Sequence, residues 1–289
     1  MTATSMQVRD LLNEAIHQLN SAGVDTPRLD AEVIFSYMLD QDRSWLYAHS
    51  HDIMSTELRE RYAQLIQRRV EREPVAYITG QREFFGLTFE VTPAVLIPRP
   101  ETELLVEEAL RLVRSQTGSR QGLITDVGTG SGCIAVTLAV HLPQTQFLAV
   151  DLSAEALAVA RRNAQRHGVL ERIQFVQGDL LAGINGPFQL IISNPPYIAE
   201  DELPTLAPEI INYEPHLALT DHRTGLTVIE RLLRAAFDRV HPKAGLLIEL
   251  GTGQGQPVLD LAQSLWPTAR LKILKDLAGH DRLLVGHQG

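Results

Sequence analysis

The sequence predicts an α/β protein, with an open, mostly parallel sheet of seven strands that finishes in an antiparallel hairpin, preceded by a small bundle of helices. Three observations carry this expectation. Apolar residues recur three and four apart between Met6 and Glu73, as on the buried faces of helices. From Leu123 onward, continuous apolar runs such as Leu190-Ile191-Ile192 and Leu246-Leu247-Ile248 alternate with helical patterns, as strands of a doubly covered parallel sheet do. The last two strand-like runs, Arg270–Leu274 and Arg282–Val285, are joined through too few residues for a crossover helix, so they pair antiparallel.

In the N-terminal part, Val8, Leu11, Leu12, Ala15, Ile16 and Leu19 share one helical face, and Gly23 closes that helix. Thr26-Pro27 reads as an N-cap followed by a first-turn proline, opening a second helix with Leu29, Val33, Ile34 and Tyr37. A further helix from Ser55 carries Leu58, Tyr62, Leu65 and Ile66, and Arg72-Glu73-Pro74 ends the bundle because proline forbids continuation. Residues 1–73 are therefore expected to form one helical domain. Between Ala76 and Pro98 short runs rich in Phe, Val, Ile and Thr, broken by Gly80 and Gly86, predict a β-hairpin that links two domains over residues 74–98, with Phe84 and Phe85 in its core. Arg99-Pro100-Glu101-Thr102-Glu103 then leads into a helix with Leu104, Leu105, Ala109, Leu112 and Val113 on one face, and the larger domain is expected over 99–289. Its strands fall at Leu123–Val127, Gln146–Asp151, Ile173–Gln177, Phe188–Ser193 and Leu246–Leu250 before the final pair, with helices from Cys133, over Ala154–His167 and through Val258–Trp266.

A chain of 289 residues has room for two such units, and 44% hydrophobic with 21% charged residues is the balance of an ordinary globular protein. Cys133 is the only cysteine, which excludes an intramolecular disulfide, a cysteine zinc site and a Cys-x-x-Cys redox pair. A reducing, cytoplasmic setting is expected. Met1 to Asp10 lacks a basic patch followed by an apolar stretch, and no run of apolar residues is long enough for a membrane span. The histidines show no metal-ligand spacing, so no metal is expected. A net charge of −9 works against loose binding to nucleic acid, which depends on clustered Lys and Arg.

The loop Gly128-Thr129-Gly130-Ser131-Gly132 follows a predicted strand and opens a helix, the setting in which glycines let backbone amides approach a nucleotide-like ligand closely. A glycine cluster alone often makes only a tight turn. Here the next strand ends at Asp151, whose carboxylate can accept hydrogen bonds from both ribose hydroxyls, and Asp179-Leu180 after the third strand would flank the adenine. Cys133 stands where a dinucleotide loop carries its last glycine, and such sheets are normally all parallel. S-adenosylmethionine is favoured over NAD, and the sheet with its terminal hairpin is then the Rossmann-like class I methyltransferase fold. A second glycine loop, Gly251-Thr252-Gly253-Gln254-Gly255, also follows a strand, but too little chain remains after it to complete a binding sheet, so it reads as structural.

Strand Phe188–Ser193 runs into Asn194-Pro195-Pro196-Tyr197 at the carboxyl edge of the sheet, where open α/β folds bind ligands. In isolation these four residues are more often a turn than a site; downstream of a donor loop they acquire a chemical purpose. An amide or aromatic amino nitrogen is a poor nucleophile because its lone pair is delocalised, so an enzyme must supply hydrogen-bond acceptors and hold it in line. The Asn194 side-chain oxygen and the Pro195 carbonyl can accept the two N–H bonds, the prolines add no competing donor, and Tyr197 can lie against the flat face. Asn194 also faces the methyl donor. Arg99, Glu101 and Glu103 have two readings: a solvated helix N-terminus favoured by the dipole, or a wall of the pocket.

With these residues in view, the chain from Glu73 to Gly286 closely resembles the release factor glutamine methyltransferases, the HemK or PrmC family. The resemblance lies in Glu73-Pro74-Val75-Ala76-Tyr77-Ile78-Thr79-Gly80, Leu96-Ile97-Pro98-Arg99-Pro100-Glu101-Thr102-Glu103, the donor loop, Asn194-Pro195-Pro196-Tyr197, Tyr213-Glu214-Pro215 and Asp276-Leu277-Ala278-Gly279-His280-Asp281-Arg282. It implies a substrate that the residues alone leave open: the amide nitrogen, N5, of the glutamine in the Gly-Gly-Gln loop of class I peptide chain release factors. It assigns Gly128 to Gly132 and Asp151 to the donor, Leu180 to the side of the adenine, and Asn194 to Tyr197 to the glutamine. The N-terminal helices would help dock the release factor. Leu180 stands where some relatives carry a large aromatic, a departure that bears on adenine stacking rather than on donor binding. The nearest rival is an adenine-N6 nucleic-acid methyltransferase, because the same loop can hold the exocyclic amino group of a flipped base; the acidic balance and the lack of a basic insert count against it. A donor-binding protein without catalysis would not need Asn194 and Tyr197 beside the loop, and the Cys133 spacing disfavours an NAD-linked dehydrogenase.

Overall fold

A computed structural model describes residues 6–115, 122–237 and 239–287. Along the chain, helices α1 (Val8–Ser21), α2 (Pro27–Leu39), α3 (Arg43–Ala48), α4 (Thr56–Val70) and α5 (Val75–Thr79) precede a hairpin of β1 (Gln81–Phe84) and β2 (Leu87–Glu90). There follow α6 (Glu103–Ser115), β3 (Leu123–Val127), α7 (Cys133–His141), β4 (Gln146–Asp151), α8 (Ala154–Arg166), β5 (Ile173–Gln177), β6 (Phe188–Ser193) and α9 (Pro208–Tyr213). The last elements are α10 (Thr227–Phe237), β7 (Val240–Glu249), α11 (Gly255–Leu265), β8 (Arg270–Lys275) and β9 (Asp281–His287). They form two compact units: the chain up to Gln81 together with Ala207–Tyr213, and Arg82–Leu206 together with the chain from Glu214 onward. The first unit thus runs past the expected boundary at Glu73, and nearly all of the hairpin falls in the second unit instead of standing as a separate link.

In the first unit, Val8, Leu11, Ala15 and Leu19 of α1 pack with Ala31, Ile34, Phe35 and Met38 of α2 and with Tyr62 and Ile66 of α4. The Phe35 and Tyr62 rings stack with centroids 4.3 Å apart, and the Tyr62 hydroxyl donates to the Ala31 carbonyl at 2.9 Å. Gly23 closes α1 in the left-handed region (φ +70°), with the Val24 amide reaching back to the Leu19 carbonyl. Ser55 caps α4 by accepting from the Leu58 amide at 3.3 Å. Thr26 departs from expectation. It occupies the N-cap position of α2, but its hydroxyl donates to Asp30 Oδ1 at 2.8 Å and caps no amide. The reason lies in the fold: Asp30 is drawn inward by Arg69, which donates to Asp30 Oδ2 at 2.7 Å and to Glu209 of α9 at 2.9 Å. Arg72 adds a second bond to Glu209 at 2.8 Å, so α9 is fastened to the N-terminal helices by charge that no local sequence pattern announces. A second difference is α5, helical where strand-like runs were expected from Ala76. Pro74 opens this helix with φ −57°, and Gly80 ends it at φ +70°, so it is too short to show a periodicity.

In the second unit the strand order is β5-β4-β3-β6-β7-β9-β8. Pairs β3–β4, β4–β5, β3–β6 and β6–β7 are parallel, whereas β7–β9 and β8–β9 are antiparallel, the seven strands and terminal hairpin that the sequence predicts. Alternate strand residues point to opposite faces: Ile124, Phe147, Leu190, Ile192 and Leu247 pack with α6 and α7, while Leu148, Val150, Ile191 and Ile248 pack with α10 and α11. Phe84 and Phe89 of the hairpin join the first of these cores. Phe85 and Gly86 form the hairpin turn with φ +52° and +72°, a conformation that suits the strand twist, and the Phe85 amide donates to Glu103 Oε1 at 2.9 Å. Because the chain reverses its winding between β3 and β6, the carboxyl ends of these strands flank a crevice.

Candidate functional site

The loop after β3 is shaped before any ligand arrives. The Gly128 and Thr129 amides both donate to the Val150 carbonyl on β4, at 2.8 and 3.0 Å, and the Thr129 hydroxyl donates to Asp126 Oδ2 at 2.7 Å. Gly128, Gly130 and Gly132 have φ of +76°, +56° and +79°, in the left-handed region. Their neighbours separate their roles. A Cβ on Gly132 would stand 3.0 Å from Ala160 Cβ, so this glycine serves packing against α8, whereas a Cβ on Gly130 would meet nothing within 4 Å. Gly130 faces open space.

That space is a cavity of about 430 Å³, lined by Gly128, Thr129, Gly130, Ser131, Asp151, Asp179, Leu180, Asn194 and Pro196 among others. Gly132, Pro195 and Tyr197 are not among the lining residues. Asp151, at the end of β4, accepts from the Gly130 amide through Oδ2 at 2.8 Å and from the Ser153 amide through Oδ1 at 2.9 Å. Burial raises its pKa, and the Ser153, Gly130 and Leu152 amides oppose that shift. Each carboxylate oxygen keeps acceptor capacity for a ligand hydroxyl. Asp179 accepts from Arg231 at 2.6 Å, with both side chains about half exposed, and Leu180 is held at φ +53°.

Asn194 closes the other side. Its Nδ2 donates to Thr102 Oγ1 at 3.1 Å, and Oδ1 has no donor among the described residues. Tyr197 turns toward Glu249, its hydroxyl donating to Oε1 at 3.3 Å, while its carbonyl accepts from Gln254 Nε2 at 2.8 Å. Gln254 belongs to the second glycine loop, and its Oε1 accepts from the Gly251 amide at 2.9 Å. That loop lies outside the cavity lining and braces Tyr197. Glu249 is 1% exposed; burial pushes its pKa up to about 7, against the Thr102 hydroxyl and the Arg282 charge, and Oε2 has no donor in full hydrogen-bond geometry. Asp126 is equally buried and likewise pushed up to about 7, with Oδ1 unpartnered.

Arg99 lines the cavity and donates to Glu214 Oε1 at 2.5 Å, while the Ile97 amide donates to Glu214 Oε2 at 3.1 Å. Of the two readings of the segment before α6, Arg99 therefore takes the wall, Glu103 ties down the hairpin turn, and Glu101 is exposed. Sequence reasoning missed Thr102, Glu249, Arg231 and the purpose of Glu214. Thr102 and Glu214 lie inside motifs it singled out; Glu249 and Arg231 carry no local signal. Among the described residues no group of His, Cys, Asp and Glu could hold a metal, and no helix is long and apolar enough to cross a membrane.

Comparison with known proteins bears on both units. Residues 10–80 match the model of the PrmC N-terminal domain, and residues 102–238 match that of the methyltransferase small domain. The chain is 37% identical to the release factor glutamine methyltransferase of Koribacter versatilis over 98% of its own length and 99% of that relative. It is 39% identical to that of Moorella thermoacetica with the same coverage, and 41% identical to that of Chlorobaculum tepidum over 95% of each chain. Among solved structures, a methyltransferase from Pyrococcus furiosus superposes with a TM-score of 0.52 at 18% identity, covering 80% of this chain and 98% of that one. The catalytic domain of hMettl16, in complex with a hairpin of the MAT2A 3′UTR, gives 0.57 at 15% identity over 88% and 90%. These structural likenesses show the methyltransferase fold.

Proposed function

The chain belongs to the release factor glutamine methyltransferase family, and from that premise we propose that it methylates N5 of the glutamine in the Gly-Gly-Gln motif of class I peptide chain release factors, with S-adenosylmethionine as donor. It is a protein-glutamine methyltransferase. The observation that carries the finer reading is that Asn194 lines the same cavity as Gly128–Ser131 and Asp151, with its amide oxygen unclaimed.

The residues fit the donor. Gly130 leaves space where any other residue would place a side chain, Asp151 offers two fixed acceptors to a ribose, and Asp179 with Leu180 lines the same cavity and would border an adenine. When bound, S-adenosylmethionine supplies a methyl group on a positively charged sulfur, open to attack by a nucleophile in line with the bond that breaks. The protein's task is to present that nucleophile. Asn194 Oδ1 and the Pro195 carbonyl accept the two N–H bonds of the glutamine amide, which aligns the nitrogen and keeps its lone pair from being used elsewhere. Each such bond contributes only about 0.5–1.5 kcal/mol. Alignment matters more, since well-oriented reactants gain roughly 7–11 kcal/mol. Pro195 and Tyr197, outside the donor cavity, meet the substrate in this reading, and the first unit helps dock the release factor. The setting is the cytoplasm, where release factors act.

Incubation with methyl-labelled donor and either a release factor or RNA and DNA tests this. Label should appear on the release factor and disappear when the glutamine of its Gly-Gly-Gln motif is replaced by alanine; label on nucleic acid alone would overturn it.

A further inference from the structure

The two prolines of Asn194-Pro195-Pro196-Tyr197 carry no amide proton, so neither can anchor its own backbone by donating a hydrogen bond. Their rings also fix φ, so the span is stiff and a shift at one end is passed to the other. Where the Pro195 carbonyl points is therefore set by what holds the segment on either side. Upstream the anchor is the sheet: Ser193 ends β6, and its hydroxyl donates to the Val127 carbonyl at 2.7 Å. Downstream it is the peptide unit between Tyr197 and Ile198. Its N–H donates to the Leu219 carbonyl at 3.0 Å, and its C=O accepts from Gln254 Nε2 at 2.8 Å. A peptide held at both polar groups cannot turn without leaving one of them unpaired.

Gln254 is itself oriented. Its Oε1 accepts from the Gly251 amide at 2.9 Å, which leaves Nε2 to face the Tyr197 carbonyl. Only a side chain that both donates and accepts can join these two backbone groups. Glycines make the approach possible: a Cβ on Gly225 would overlap the Tyr197 carbonyl oxygen and stand 2.9 Å from Gln254 Nε2, and one on Gly251 would stand 3.1 Å from Gln254 Oε1 and 3.2 Å from Tyr197 Cδ2. We propose that Gln254 is a positioning residue for methyl transfer: by holding the Tyr197–Ile198 peptide it fixes the downstream end of the proline span, and with it the direction from which the Pro195 carbonyl meets the substrate amide. This role rests on the reading of Asn194 to Tyr197 as the holder of the glutamine. The second glycine loop then serves the acceptor side of the reaction as the first serves the donor side. Gln254 does not line the donor cavity, so donor binding should not depend on it.

Two substitutions separate positioning from plain support. Gln254→Met keeps the length of the side chain and loses both bonds; Gln254→Glu, ionised, keeps an acceptor for Gly251 and loses the donor. At mildly alkaline pH each should lower kcat per mole of folded protein at least about tenfold, with the Kd for S-adenosylmethionine unchanged. A protonated carboxylic acid again donates and accepts, as the amide does. The deficit of Gln254→Glu relative to the wild type should therefore shrink as pH falls, while that of Gln254→Met stays. The charged groups nearby are Asp221, bonded to the Gly225 amide, Glu249, bonded to the Tyr197 hydroxyl, Asp281 beside Gly255, and Arg282, bonded to the Leu250 carbonyl. All four are present in each protein and cancel in the ratio.

The same comparison is read without substrate by 19F NMR of protein labelled with fluorotyrosine, the Tyr197 signal being assigned by its loss in Tyr197→Phe. Compared with the wild type at each pH, it should be displaced in both variants under alkaline conditions and return in Gln254→Glu alone on acidification. Wild-type kcat in Gln254→Met, or a Gln254→Glu deficit that persists unchanged into acid, overturns the proposal; should one variant fail to fold, the other decides. A wild type that leaves release factor unlabelled yet shows the expected Tyr197 displacements would count against the function and not against this clamp.

Discussion

The Gly130 amide donates to Asp151 Oδ2 at 2.8 Å, joining the tip of the glycine loop to the end of the neighbouring strand across 21 residues of sequence. The proposed acceptor for the ribose and the backbone proposed to pass close to the donor are thus tied directly to each other. Replacing Asp151 by Asn removes the charge and turns one acceptor into a donor facing an amide N–H. Donor affinity should fall about 10- to 100-fold, the loss of roughly 1.5–3 kcal/mol for a charge-assisted bond. Burial raises the Asp151 pKa, so the ionised carboxylate opposes folding as pH rises through that value. The Tm of the donor-free variant at neutral pH should therefore drop only slightly, since removal of the buried charge offsets part of the cost of the one backbone amide that loses its acceptor. Calorimetric titration and thermal melts read the two effects separately, and unaltered affinity would remove Asp151 from the donor site.

Two glycines of the same loop should respond differently to alanine. Both sit at positive φ, so each substitution strains the backbone by about 1–2 kcal/mol. Gly132→Ala adds a methyl 3.0 Å from Ala160 Cβ and should lose further stability, seen as a lower denaturant midpoint. Gly130→Ala meets no protein atom within 4 Å and places its methyl at the cavity, so its larger effect should be on donor affinity. Equal losses of stability with normal binding in both would refute this division.

Asn194→Ala should leave donor affinity near normal while lowering turnover at least about a hundredfold, as removal of a positioning group does. Its Nδ2 reaches only Thr102, so little else is disturbed. Turnover equal to wild type would take Asn194 out of the mechanism.

How far these residues were legible in the sequence depended on distance along the chain. The glycine loop, Asp151 and Asn194 each close a strand, so alternation of apolar runs places them together at one sheet edge. Glu249 also closes a strand, yet a carboxylate after Leu-Leu-Ile looks like any first exposed residue; only the packing of Thr102, Tyr197 and Arg282 around it shows that it is buried. Tyr197 stands in a motif that the sequence singles out, but nothing near it in the chain announces that its hydroxyl reaches Glu249, a partner 52 residues away. The hold of Arg69 and Arg72 on Glu209 spans about 140 residues and has no periodic signature at all.

Arg69 is the keystone of the first unit, with its side chain 7% exposed between Asp30 and Glu209. Arg69→Ala would leave the Asp30 carboxylate buried without its cation, at a cost of about 3–5 kcal/mol. Glu209 keeps Arg72, so α9 should loosen rather than detach, and proteolysis near Ala207–Tyr213 should quicken. Pairing Arg69→Met with Asp30→Asn removes both charges and should recover much of the loss. A single variant as stable as the wild type in urea would show that the pair contributes nothing net.

Donor-free stability should also carry a signature of the two buried acids beside the cavity. Burial pushes Asp126 and Glu249 each up to about 7 from ordinary values near 4. For an acid whose folded pKa lies above its unfolded one, the folded state binds more protons, so the stabilisation is complete below the unfolded value and is lost as pH rises through the folded one. Tm should therefore fall as pH climbs through about 7. On the acid side, Glu90 and Glu108, held down by Arg162 and Arg111, lose their stabilising charge as they protonate, so stability should peak under mildly acidic conditions. Asp126→Asn removes one titrating group and leaves the Thr129 hydroxyl a carbonyl to donate to, so its melting curves should decline less steeply above neutrality than those of the wild type. A wild-type Tm that rises between mildly acidic and mildly alkaline buffer would mean that these carboxyls are solvated in the folded protein.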